Sequence, residues 1–395
     1  MNFLSVYSNI SLRDMTRIII DCQALLQNFV HEYSARFIIS CHEYLLQNKR
    51  DPVYWFIVDP TYIENTLLNS LPAKNILVKK PFPNPIGWKI WLDYQLPSLV
   101  KKYNADLLIN TGGIASGSPV AQCSWMPEKP VSNKFQKNTN YTALYERRLK
   151  NTLQKSQMVI SLSEKRRQQL IRQYNFDSNR IIVARTAADE RYRILSWAEK
   201  ESVKVRYAAG KEYFIVLVDS PSENLIHLLK AFSQFKKRQQ SNIRLVFAGA
   251  GLKNEQGFLE KMETFKYRSD VHVYDNPDDD DTIKLISAAY ALVHPFSGDE
   301  TGAAVLNAFK ANVPVIASDK GSLPEIAATA ALYANLDDVE LLAGQLMLLY
   351  KDEKLRGQLI EKSRLQYQLF NRNESMENLY HAMMQAAAGN HNISM

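Results

Sequence analysis

From Arg17 onward the chain alternates short, nearly unbroken apolar and β-branched runs with longer stretches of helical apolar periodicity. The first kind predicts strands buried on both faces, and the second predicts helices packed against them. RIIIDC (17–22), VYWFIVD (53–59), NILVKK (75–80), DLLIN (106–110), VAQCSW (120–125), MVISLS (158–163) and RIIVA (180–184) read as strands. Helices such as EYSARFIISCHEYLLQN (32–48) and YTALYERRLKNTLQK (141–155) fall between them. A second cycle follows with YFIVLVD (213–219), IRLVFAG (243–249), VHVY (271–274), AYALVHP (289–295), VPVIAS (313–318) and ALYAN (331–335). Such alternation predicts an α/β fold of doubly wound parallel sheets.

Residues 185–211 contain no strand-like run and are rich in charge, which places a domain boundary there. The reading is an N-terminal extension (1–16), a first Rossmann-like domain (17–190), a second (191–372) and a C-terminal helix (373–395) that crosses back to the first. Met15 is an alternative start to Met1. Ligands of such sheets bind beyond the carboxyl ends of the strands, so the loops after DLLIN, VAQCSW, YFIVLVD and AYALVHP are where function is sought. TGGIASGSP (111–119), with Gly112 and Gly113, is the glycine-rich loop of the first domain, but it is not the G-x-G-x-x-G of a dinucleotide site.

Composition changes this picture little. At 395 residues, 46% hydrophobic and 23% charged, the chain is globular and too long for one ordinary core. A net charge of +7 fits a phosphate-bearing ligand, a peripheral contact with an anionic membrane, or simply a solvated basic face. Nucleic acid is not supported, because the lysines and arginines are scattered along helices rather than gathered with stacking aromatics. Cys22, Cys41 and Cys123 are too far apart for a zinc motif or a disulfide framework and read as buried thiols of a reducing compartment. NPDDDD (276–281) reads as a solvated turn and an acidic helix start rather than a metal site. No run approaches the ~18 apolar residues of a membrane helix, and the first residues lack a signal-peptide pattern, so a soluble cytoplasmic protein is expected.

SGDETGAAVLNAFKANVPVIASDKGSLPEI with AALYANLDD, preceded by GKEYFIVLVDSPSENLIHLLKAF, resembles the donor half of the family-4 retaining glycosyltransferases. QMVISLSEKRRQQLIRQYNFDSNRIIVA is similar to the end of that family's first domain. The resemblance implies a GT-B fold, two Rossmann-like domains facing a cleft. It also implies transfer of a sugar, with retention, from a UDP- or GDP-type nucleotide sugar to a glycan or lipid-linked acceptor. No metal and no further cofactor are implied.

The same resemblance marks the site positions and shows departures. The two glutamates of the family's E-x7-E segment fall on Asp299 and Asn307, with Glu300, Thr301, Gly302 and Ala303 at the helix start expected to meet sugar and diphosphate. The family's Arg-Lys pair falls on Ser222 and Glu223, and such a charge reversal changes the energy by about 6 kcal/mol per phosphate charge at ~5 Å and an effective dielectric of ~20. Lys253 and Lys320 are conceivable substitutes. On the acceptor side the candidates are Gly112, Gly113 and Glu128, the last standing with Pro127 where the family has a His-Asp pair; the lone His31 reads as structural or solvated. Two functions follow: an active transferase, or a catalytically inactive relative that binds a ligand or a partner glycosyltransferase.

Overall fold

The computed structural model describes residues 15–23, 32–49, 52–58, 76–79, 85–126, 139–218, 225–296 and 298–391. The chain forms two compact units, Met1–Ala184 with Asn373–Met395 and Arg185–Arg372. The boundary thus falls earlier than the 190/191 read from charge. The physical reason is that Asp189 is hydrogen-bonded into the second unit.

The strands are β1 (Arg17–Asp21), β2 (Val53–Val58), β3 (Ile76–Val78), β4 (Leu107–Asn110), β5 (Ala121–Trp125), β6 (Met158–Ser161) and β7 (Ile181–Val183) in the first unit. All pair in parallel, in the order β3-β2-β1-β4-β5-β6-β7. Along β1 successive side chains serve opposite faces, as the period of two requires. Ile18 and Ile20 join a core built from the helices Glu32–Asn48 and Arg372–His391, through Phe37, Ile38, Leu45, Leu379 and Met383. Ile19 instead meets Trp88, Trp91, Leu92 and Leu96 on the other face. Cys22, Cys41 and Cys123 are free, buried and part of the first of these cores.

Trp88 to Leu96 lie on a helical stretch, Pro85–Lys102, whose middle, Trp91–Gln95, is wound as a π-helix. Pro97 accounts for a consequence of this winding. The Leu96 N–H bonds Trp91 O, and Pro97 has no N–H, so the carbonyl of Leu92 has no helical donor. The glycine-rich loop supplies the missing donors: Gly117 N at 2.8 Å and Ser116 Oγ at 2.8 Å both donate to Leu92 O.

The second unit holds β8 (Tyr213–Val218), β9 (Arg244–Gly249), β10 (Val271–Asp275), β11 (Ala291–His294), β12 (Val315–Ala317) and β13 (Ala331–Tyr333). They are again all parallel, in the order β10-β9-β8-β11-β12-β13. Alternation along β8 sends Tyr213, Ile215 and Leu217 to one core and Phe214, Val216 and Val218 to the other. The acidic run starts the helix Asp279–Ser287, where the Asp278 side chain caps the N–H of Asp281 at 2.7 Å. Among the described residues, no helix is long and apolar enough to cross a membrane.

Candidate functional site

In the second sheet the strand order reverses at β8, which has β9 on one side and β11 on the other. The carboxyl ends of β8 and β11 therefore flank the position where an open α/β sheet takes its ligand. Residues 219–224 after β8, including Ser222 and Glu223, lie outside the described residues. Beyond β11 the chain runs from His294 to the helix Ala303–Lys310, which buries Ala304, Val305, Leu306, Ala308 and Phe309. Gly302 caps that helix with φ +60°, and a Cβ there would sit 2.6 Å from Ile326 Cδ1. Both the backbone conformation and the neighbour demand glycine.

Asp299 is turned back onto this helix start, with its side chain only 3% exposed. Its Oδ1 accepts from Thr301 N, Thr301 Oγ1 and Gly302 N, each at 2.9 Å, and Oδ2 faces His294 Nε2 at 3.1 Å. Burial pushes the carboxyl pKa up, but the imidazole of His294, the N–H of Gly302 and the hydroxyl of Thr301 outweigh it and hold it below the ordinary carboxylate range. Phe296 stands edge-on to His294, with ring centroids 5.4 Å apart. Ala303 N in turn donates to Thr301 Oγ1 at 3.3 Å. The N–H groups that a helix start offers to an anion thus already face acceptors of the protein's own. Glu300 and Thr301 are themselves buried, at 3% and 2% exposure.

Asn307, on the same helix, accepts the backbone N–H of Asp189 through Oδ1 at 2.8 Å. One turn on, Lys310 Nζ donates to the Asp189 carbonyl at 3.1 Å. The Asp189 carboxylate is paired with Arg191, which also reaches Asp279 at 3.3 Å. Burial raises the Asp189 pKa, but Arg191, and beyond it Lys310, bring it below its ordinary value. Asn307 therefore fastens the segment around Asp189–Tyr192 to the helix. Of the two lysines considered as substitutes for the family's cations, Lys320 stands 3.5 Å from Asp337 and is exposed, and Lys253 is exposed after β9.

In the first unit the strand order reverses between β1 and β4. Gly112 and Gly113 follow β4 in a loop folded over buried Gln122, whose amide accepts from Ser116 N at 2.9 Å and donates to Ser116 O and Ser118 O. At the end of β1, Asp21 accepts from Trp91 Nε1 at 3.0 Å and Gln23 N at 3.1 Å, and Thr111 Oγ1 donates to its carbonyl at 2.6 Å. Burial lifts the Asp21 carboxyl to about 6 against both hydrogen bonds. His31, Pro127 and Glu128 lie outside the described residues.

Asp21, His294, Asp189, Tyr192 and Lys310 are not among the residues that the sequence pattern singles out. For His294 a signal is present, since a histidine closes the otherwise apolar strand ALVH five positions before Asp299. Asp189 and Asn307 are 118 positions apart, and nothing local connects them.

Residues 199–366 match the family model for glycosyl transferases group 1. O-antigen chain mannosyltransferase B of Escherichia coli is 24% identical over 213 residues, which cover 53% of this chain and 56% of that protein. The match thus spans little more than half of that relative's length. Among solved structures, a glycosyltransferase of Rickettsia africae superposes with a TM-score of 0.69 at 16% identity, covering 94% of this chain and 99% of that one. Anabaena HepE in complex with UDP gives 0.71 at 12% identity, over 94% and 100% of the two chains. Identities this low speak for the fold, two parallel-sheet α/β units of the GT-B type. The chain thus has the fold of the GT-B glycosyltransferases, and its residues 199–366 are similar to the glycosyl transferases group 1.

Proposed function

We propose that this chain acts in the cytoplasm as a retaining transferase, passing a sugar from a UDP- or GDP-type donor to a glycan or lipid-linked acceptor in polysaccharide assembly. The observation that supports this most is the place of Asp299–Ala303. They form the turn at the carboxyl end of β11, beside the strand-order reversal, that enters a helix through a left-handed glycine. In this reading Asp299, Glu300, Thr301, Gly302, Ala303 and Asn307 meet the donor, together with Ser222 and Glu223. Gly112, Gly113 and Glu128 meet the acceptor, and neither metal nor cofactor takes part. A diphosphate bound there competes with the Asp299 carboxylate for the N–H groups of Thr301 and Gly302. Once those donors turn to the ligand, they stabilise the charge that develops on the leaving diphosphate.

A second reading, an inactive relative that serves as a binding module or as partner of an active enzyme, draws on a specific observation as well. The Asp299 carboxylate is satisfied within the protein, and Asn307 Oδ1 is engaged by Asp189. Calorimetry with UDP, GDP and their sugars, together with an assay for released nucleoside diphosphate, separates the two. Donor binding with turnover, both lost in Asp299→Ala, supports the transferase. Binding without turnover supports the module, and no heat with any nucleotide ends the transferase reading.

A further inference from the structure

The helix Glu164–Tyr174 follows the carboxyl end of β6 in the first unit. Ser163 caps it, with its side chain accepting from Arg166 N at 3.1 Å. The first turn then reads Glu164, Lys165, Arg166, Arg167, so that cations gather at the end where the helix dipole is already positive and acidic residues are favoured. Glu164 offsets Arg167, at 2.9 Å.

Arg166 is placed differently from its neighbours. It is only 7% exposed and lies on the buried face of the helix, one turn before Leu170. A guanidinium does not shed its proton to escape burial, so the charge stays. Among the described residues its side chain makes one hydrogen bond, from Nη1 to Oε1 of neutral Gln169 at 3.3 Å, and no ion pair with a carboxylate. Its Nε is buried with no partner. An arginine that merely laid its stem along the core would keep that head in water. Buried charges are normally paired, because the desolvation of an unpaired one is not offset by any partner.

Helical side chains lean toward the N-terminus, so Arg166 is directed back to the helix start, beyond the carboxyl end of β6. That is the side of an open α/β sheet on which ligands are held. The helix dipole and the unpaired guanidinium both call for an anion there, and the planar fork of donors matches the oxygens of a phosphate. We infer that Arg166 and the first turn of this helix bind a phosphate group. The site belongs to the first unit and does not rest on the nucleotide-sugar reading of the second. A soluble phosphate ester and a lipid-borne phosphate present the same oxygens to it.

The test is thermal unfolding of the full chain titrated with inorganic phosphate, against sodium chloride at equal ionic strength, for the parent, Arg166→Met and Arg166→Lys. Phosphate raises the midpoint of the parent beyond what chloride does. In the absence of phosphate Arg166→Met unfolds at a higher midpoint than the parent, because it removes a buried charge that nothing pairs; an arginine that holds the fold would give the opposite sign. The phosphate concentration that produces half of the rise increases about tenfold or more in Arg166→Met, as the loss of a charge-assisted hydrogen bond requires, and less in Arg166→Lys, which keeps the charge without the fork. Glycerol 3-phosphate and farnesyl phosphate, titrated in the same way, separate the two sources: the one that acts at the lower concentration names the natural ligand's class. A midpoint that phosphate raises no more than chloride does overturns the proposal, as does a phosphate response that Arg166→Met leaves unchanged. A midpoint of Arg166→Met below that of the parent assigns the arginine to holding the fold and overturns it as well.

Discussion

The Oδ1 of Asn307 takes the backbone N–H of Asp189 at 2.8 Å, so a side chain on the helix after β11 holds two parts of its own unit together. Asn307→Ala leaves that N–H without its acceptor. A loss of about 1–3 kcal/mol of stability is expected from urea unfolding, with earlier protease cleavage near Asp189–Tyr192. Unchanged stability in this variant would mean that the contact is dispensable.

Asp299 carries a pH signature. Its folded pKa lies below the ordinary 3.8, so the stability that it contributes is present above that value and is lost as pH falls below it. Asp299→Asn keeps the shape but cannot lose a proton, so its stability curve is flatter than the parent's below about pH 4. Unfolding free energy measured against pH for both proteins checks this, and parallel curves would refute it.

Asp21 has the opposite sign. Its pKa rises from 3.8 to about 6 on folding, so the folded state favours the protonated acid and stability falls as pH rises through that window. Relative to the parent, Asp21→Asn gains on the order of 3 kcal/mol between pH 4 and pH 7, whatever fixed cost the amide brings to its two donors. The same unfolding series measures it.

Two glycines are held in place by contact. A Cβ on Gly249 would stand 2.0 Å from the carbonyl oxygen of Val218, its partner in the parallel pair at the carboxyl ends of β8 and β9. Gly249→Ala must push the strands apart, and a loss of about 3 kcal/mol or more is expected. Gly302→Ala meets Ile326 and a left-handed backbone together. Adding Ile326→Ala relieves the collision, so in that background Gly302→Ala costs only the backbone strain, about 1 kcal/mol, and the relieved collision is the coupling of a double-mutant cycle.

The strands were legible because a parallel strand buried on both faces is largely apolar, and each of β1–β13 falls within one of the runs named from the sequence except β10, which runs one residue further, to Asp275. Pro85–Lys102 was not legible as a helix, because Pro97 interrupts it and the π-wound turn that accommodates the interruption has no distinct sequence pattern. At the candidate site the residue types were readable, but their orientation was not. The pairing of Asp299 with His294 depends on how the turn after β11 folds back, and the engagement of Asn307 depends on a backbone N–H, which no side-chain motif encodes.

The carbonyl of Leu92 carries a consequence for inheritance. It is open to Gly117 and Ser116 because position 97 is an imino acid, and position 117 approaches it because a side chain there would press on the Asp93 backbone at 3.2 Å. In a descendant, a change at either position acts on the same contact: an amide at 97 gives the carbonyl a rival donor, and a side chain at 117 must push the Asp93 backbone back for the loop to keep its seat.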